Sequence, residues 1–441
     1  MGAISRIWRD TALPTEGLGY WLALGLTGLA VFALPFSNSV FAPGAILAIW
    51  GLGLLAVHRG AIWSEPWIRW MLVLMAALWL PQLFALTGAV NLERALRTAV
   101  GYPLYAIAMV PLLWACRIRD LATPLLYLTF GLTVLWSLDG LLQFIAGTNI
   151  LGFPYNGRRV TGLSYPDLRL GVILAHLLPF VLEATRRLMA KTRLAALLPL
   201  LPVLTIILSG SRAAMLMMVI ALGVYGLFLI WFYRPRKLTV GALAAALVLA
   251  MGTLLWASPE TRDRITAVAQ IVEMDVDSVD AATARRGQIW VAAWQVATDH
   301  PVRGVGVRGV EPAANDRGYI SREFVHTHLY WLDVFVSTGA VGLIAYLLTL
   351  TGILGALWIR ARQYAVNAPM FMAGGLAIFG AMNPINSHWT IYSSYTAALS
   401  YLVIALALSQ IIRLRQISAA GCAPQSTPDT PPASGPASPA V

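Results

Sequence analysis

Apolar runs long enough to cross a bilayer recur along this sequence, and they leave the chain few folds to choose from. A helix needs about 20 apolar residues to span the hydrocarbon, and only helices or closed barrels satisfy their backbone there. Twelve such runs stand at roughly 18–34, 40–57, 68–86, 96–115, 122–146, 168–185, 194–209, 211–232, 238–257, 329–358, 367–382 and 391–412. The chain is 58% hydrophobic and 12% charged, against about 25% charged in soluble domains. The expected fold is an all-α integral membrane protein of about twelve transmembrane helices. The net charge of +11 lies in short clusters between apolar runs, not on one soluble face, which argues against nucleic acid as a partner. Two cysteines, Cys116 and Cys422, are too few for a disulfide framework. The first run ends at "LPFSNS" without a small-residue cleavage pattern, so it reads as a span and not a signal peptide.

The charges between runs set an orientation. Alternate linkers hold Arg59 and Arg69; Arg117 and Arg119; Arg186, Arg187, Lys191 and Arg193; Arg234, Arg236 and Lys237; Arg360 and Arg362; and Arg413 and Arg415 follow the last run. Basic linkers stay cytoplasmic. Both termini are therefore expected in the cytoplasm. Residues 1–257 would hold nine spans, 258–328 a long outward-facing loop containing helices, and 329–415 three further spans. Residues 416–441, rich in Pro, Ala and Ser, read as a disordered cytoplasmic tail.

Some arginines break the rule. Arg158 and Arg159 follow span five, Arg212 opens span eight beside Ser209 and Ser211, and Arg285 and Arg286 open a helix in the long loop. Arginine on the outer side is costly and tends to be functional. Its fixed charge and planar fork suit phosphate, and a helix N-terminus favours an anion. The bland alternative pairs them with the loop acids Glu273, Asp275, Asp277, Asp280 and Glu311. Arg303, Arg308, Arg317 and Arg322 read as solvated loop charges. Arg286, Trp290 and Trp294 share one helix face; the indoles either anchor that helix at the membrane surface or touch a sugar or lipid.

His326 and His328 sit just before span ten, where a histidine can take a proton near neutral pH. Residues two apart do not share a helix face, so one of the two can be structural. A metal site from His326, His328 and His388 lacks a completing carboxylate or thiolate, and neither metal nor cofactor is expected. His176, inside span six, reads as a packed polar group. Gly304, Gly306 and Gly309 spell GxGxxG without a preceding strand, so they read as a flexible loop and not a dinucleotide site. The acidic run "EMDVDSVD" lacks calcium-loop spacing and reads as solvated.

Taken in order, these residues resemble a family. The set is R-x-x-G from Arg159 to Gly162, Ser211-Arg212 at a span boundary, R-x-x-x-W from Arg286 to Trp290 followed by D-H-P-x-x-G-V-G from Asp299 to Gly306, and H-x-x-x-L-D from His328 continuing to Gly342. It is similar to the O-antigen ligase and polymerase superfamily of bacterial envelope glycosyltransferases, over about residues 150–345 by motif. The O-antigen ligases are its closest branch. The family usually has His-Asn where this chain has His328-Leu329. Spacing to Thr338 and Gly339 aligns His328 with the family's histidine, with His326 a second candidate base. The resemblance implies an inner-membrane, metal-independent transfer on the periplasmic face, from an undecaprenyl diphosphate-linked O-antigen donor to a lipid A-core acceptor among membrane lipids. Its arginines would hold the diphosphate. A polymerase, a protein O-oligosaccharyltransferase and, from another class, a lipid-linked glycan transporter remain as alternatives.

Overall fold

A computed structural model of the chain describes residues 17–36, 38–233, 286–320 and 323–421. Among these residues every regular element is helical; an isolated bridge joins Thr148 and Pro154. The helices are α1 Leu18–Phe32, α2 Phe41–Ser64, α3 Pro66–Ala85, α4 Leu92–Ile107, α5 Val110–Ala115, α6 Ala122–Ala146, α7 Leu170–Leu188, α8 Leu200–Leu208, α9 Arg212–Tyr233, α10 Gly287–Asp299, α11 Val310–Asp316, α12 Tyr330–Gln363, α13 Ala368–Ala381 and α14 Ser394–Gly421.

Among the described residues seven helices are long and apolar enough to cross a membrane, against twelve expected along the whole chain: α2, α3 with its following 3-10 turn, α4 continued by α5, α6, α9, α12, and α14 through Ile412. Three further apolar stretches, α1, Arg193–Leu208 and α13, are shorter. α7 ends in charged turns holding Glu183, Arg186 and Arg187. The 238–257 run lies outside the described residues, as do 258–285, Ser321 and Arg322, and the tail from Cys422. The expected tail boundary also moves, because α14 runs on to Gly421.

Local sequence explains the breaks. α4 starts where the Asn91 side chain accepts the Arg94 N–H at 3.1 Å. It stops at Ala108, and α5 restarts with Pro111 in its first turn, where a missing N–H costs nothing. α14 is the axis of the bundle. It is buried almost throughout Ser394–Ile412 and packs on α3, α4, α5, α6, α7 and α13. Lipid tails are as apolar as leucine, so polar ties between helices help to fix the bundle. Tyr346 Oη donates to the Met382 carbonyl at 2.5 Å, and Ser400 Oγ to Ala381 at 3.2 Å.

At the N-terminal end of α12, α10 and α11 form a cap with its own small core, including Ile289, Val296, Val310, Phe324 and Leu332. The glycine segment expected to be flexible is instead strapped to α12. The amides of Val305 and Gly306 donate to Val336 and Ser337 at 2.9 and 3.0 Å. Gly304 has φ +68, and a Cβ there would stand 2.5 Å from the Ser337 carbonyl carbon. α12 itself opens at Gly339, where φ is +68 and Ala340 N–H donates to Pro301 at 2.8 Å. These positions need glycine for close backbone approach and left-handed φ.

Candidate active site

Four loops meet at this end of the bundle. In the first, the Asn156 side chain accepts the N–H groups of Arg158 and Arg159 at 2.9 and 2.8 Å. Gln143 of α6 accepts from Thr161 and Gly162 at 2.9 and 2.8 Å. Val160 N–H then donates to Leu208 at 3.1 Å, which fastens the Arg159 segment beside the α8–α9 turn. That turn places Arg212 at the N-terminus of α9, as expected.

In the second, Arg286 immediately precedes α10, and its Nη1 donates to the Ser387 carbonyl at 2.5 Å. Trp290 Nε1 donates to Thr327 at 2.9 Å, which ties α10 to the histidine loop. In that third loop His328 takes a left-handed φ of +54, which is costly for a side chain with a Cβ. Asp333, in the buried first turn of α12, holds the loop by accepting from the Thr327 N–H and from Thr390 Oγ1. The fourth loop, 383–393, supplies the rest. Its Pro384 and Asn386 carbonyls accept the first amides of α12. Its His388 carbonyl lies 2.6 Å from His328 Nδ1. A carbonyl only accepts, so Nδ1 carries the proton and the neutral ring has its lone pair on Nε2.

The four loops enclose a cavity of about 360 Å³ lined by Arg159, Leu168, Gly210, Ser211, Arg212, Ala213, Arg286, Trp290, His328, Ser387, His388 and Trp389. Among the described residues no acidic side chain lines it. Burial holds the Arg286 guanidinium below its ordinary value, and the nearby charges of Arg212 and Arg159 push the same way. Five of the seven candidate residues, Arg159, Arg212, Arg286, Trp290 and His328, therefore line one cavity. His326 stands behind it, its ring centroid 4.1 Å from that of His328. Its ring nitrogens are buried without a hydrogen-bond partner among the described residues. Burial, then the charges of His328, Arg308 and Arg286, lower it to about 3, so it is neutral near pH 7. Arg158 is exposed and does not line the cavity, and Arg285 lies outside the described residues.

Residues 194–347, about a third of the chain, match the family model described as O-Antigen ligase. Over that stretch the chain is similar to the O-antigen ligase family. No curated protein matches it. The matched stretch holds Arg212, Arg286, Trp290 and His328, while Arg159 and the fourth loop lie outside it. The cavity is thus assembled from the matched stretch and two loops outside it.

Several readings change. Arg308, expected in solvent, is half-buried with φ +66, and it lies close enough to Asp333 and His326 to act on both. Its left-handed backbone turns it under the histidine loop. Trp294 is exposed and packs against Trp331 and Phe335, with ring centroids 6.2 and 5.8 Å away. Arg303 and Arg317 are exposed, as expected; Arg317 pairs with Asp299. Glu311 opens α11 and does not line the cavity; the other loop acids named as partners lie outside the described residues. His176 is buried, with Nδ1 2.7 Å from the Val172 carbonyl. Among the described residues no group of three or more His, Cys, Asp or Glu side chains is placed to hold a metal ion. Sequence reading missed Ser387, Trp389 and the carbonyl role of His388; their signal was the polar insert "NPINSHWTIY" between two apolar runs.

Proposed function

We propose that the protein is an O-antigen ligase of the bacterial inner membrane. It moves a glycan from undecaprenyl diphosphate to a hydroxyl of the lipid A-core oligosaccharide, with the cavity and the 258–328 loop facing the periplasm and both termini in the cytoplasm. The carrying observation is the meeting of Arg159, Arg212 and Arg286 with His328 around one cavity. The chemistry follows from those groups. The guanidiniums grip the donor diphosphate, which takes the place a divalent cation has elsewhere. His328 Nε2 takes the proton of the acceptor hydroxyl. The freed oxygen attacks the anomeric carbon of the donor's first sugar, and the bond from that carbon to the diphosphate oxygen breaks. The electron pair leaves on the diphosphate, where the guanidiniums balance it. His326, neutral and packed on His328, supports the base without replacing it.

Deletion followed by gel analysis of lipopolysaccharide tests this reading. Loss of every capped chain is the expected result. Retention of single-unit caps would make the protein a polymerase that uses the same chemistry. Transfer by purified protein should survive EDTA; strict dependence on added magnesium or manganese would contradict the arginine mechanism.

A further inference from the structure

The cavity has a second recognition element besides its arginines. Trp389 lines it from the fourth loop, next to the His388 carbonyl that orients His328. Its indole is braced on several sides. The His388 ring centroid is 3.9 Å away, and Tyr395 meets it edge-on at 5.5 Å and 89°. The Arg169 guanidinium lies 5.7 Å from the Trp389 ring and 4.4 Å from Tyr395. Arg169 is itself paired with Asp167 at 2.8 Å, and Tyr395 Oη donates to Leu34 at 2.8 Å. A half-buried indole held this firmly loses little freedom when a ligand lands on it.

We infer that Trp389 is the stacking platform for the donor sugar directly bonded to the diphosphate. This rests on the ligase reading above and adds a sugar subsite to it. The arginines occupy the anionic part of the ligand, so the neighbouring wall meets the first sugar. The C–H face of a pyranose is apolar with slight positive charge, which suits the negative face of an indole. Trp290, the cavity's other indole, has its N–H tied to Thr327 and serves to hold the histidine loop. A sugar on Trp389 lies beside His328, where the attack must occur.

The test compares binding of two lipids to full-length purified protein: bare undecaprenyl diphosphate, and the lipid-linked glycan that accumulates in cells lacking this chain. Wild-type protein should bind the glycan-bearing lipid more tightly. Trp389→Ala should lose that preference, about tenfold, and keep its affinity for the bare lipid; Trp389→Phe should keep most of the preference. The inference is overturned if wild type shows no preference, or if Trp389→Ala retains it. It is also overturned if Trp389→Ala loses bare-lipid affinity to the same extent, since the indole would then brace the loop only. Failure of the ligase reading looks different: Arg212→Ala would bind bare undecaprenyl diphosphate as well as wild type does.

Discussion

The two ends of α7 face opposite electrostatic situations. Near its C-terminus the buried Glu183 carboxylate accepts two bonds from Arg186 at 2.8 Å, one from Arg187 at 2.7 Å and one from Tyr225 of α9 at 2.9 Å. Near its N-terminus, Arg159, Arg212 and Arg286 converge on a cavity with no acid among its described lining residues. At the first end arginine charge is balanced by an internal carboxylate, and the cluster ties α7 to α9. At the second, burial and then the neighbouring charges of Arg212 and Arg159 hold Arg286 below its ordinary value. The Glu183 cluster holds helices together; the convergent arginines carry the proposed anion site.

Substitution at each end should separate activity from stability. Arg212→Ala or Arg286→Ala is expected to lower transfer by about 10³-fold, the size of effect seen when one donor to a developing charge is lost. Melting temperature should change little by comparison. Arg212→Lys should recover part of the rate, because the bidentate fork is lost but the charge stays. Glu183→Ala should do the reverse. Removing one partner of a buried ion pair costs about 3–5 kcal/mol, so thermal unfolding should come much earlier, while the rate per folded molecule stays near normal. Equal damage to rate and stability at both ends would erase the distinction.

A smaller contrast lies within the histidine pair. His328→Ala should cost about 10²–10⁴-fold in rate, as for a lost general base, and His326→Ala less. If His326→Ala is inactive and His328→Ala near normal, the roles are exchanged.

The smallest effect concerns pH. His326 is held at about 3 in the folded protein, below the ordinary value of about 6.5. Between those values the unfolded chain binds the extra proton, so stability falls as pH drops through that window. His326→Leu should flatten the acid side of a melting-temperature profile between pH 6.5 and 4, and leave the profile above pH 7 unchanged. An identical acid slope in the variant would mean that His326 already carries its proton when folded.

The arginines that line the cavity were legible in the sequence because membranes make charge conspicuous. Arg159, Arg212 and Arg286 stood out as arginines on the wrong side of the positive-inside pattern, and all three reach the cavity. Helix positions were legible from apolar runs, but crossing number was not. Apolarity marks a helix such as α13 without making it long enough to span alone. The fourth loop was hidden for another reason. It works largely through the carbonyls of Pro384, Asn386, Ser387 and His388, and a carbonyl leaves no residue signature. Arg308, Gly304 and Gly306 were misread because their left-handed backbone conformations, which residue type alone does not announce, decide how they pack.

The central claim is that the convergent arginines form a diphosphate site, and ligand-dependent stability measures this most directly. A ligand at 100 times its dissociation constant adds about 2.7 kcal/mol to the folded state. Undecaprenyl diphosphate should therefore raise the melting temperature of wild-type protein and of Arg187→Ala, whose residue belongs to the paired cluster. In Arg212→Ala the rise should largely vanish. An undiminished rise in Arg212→Ala, or one abolished by Arg187→Ala, would contradict the account.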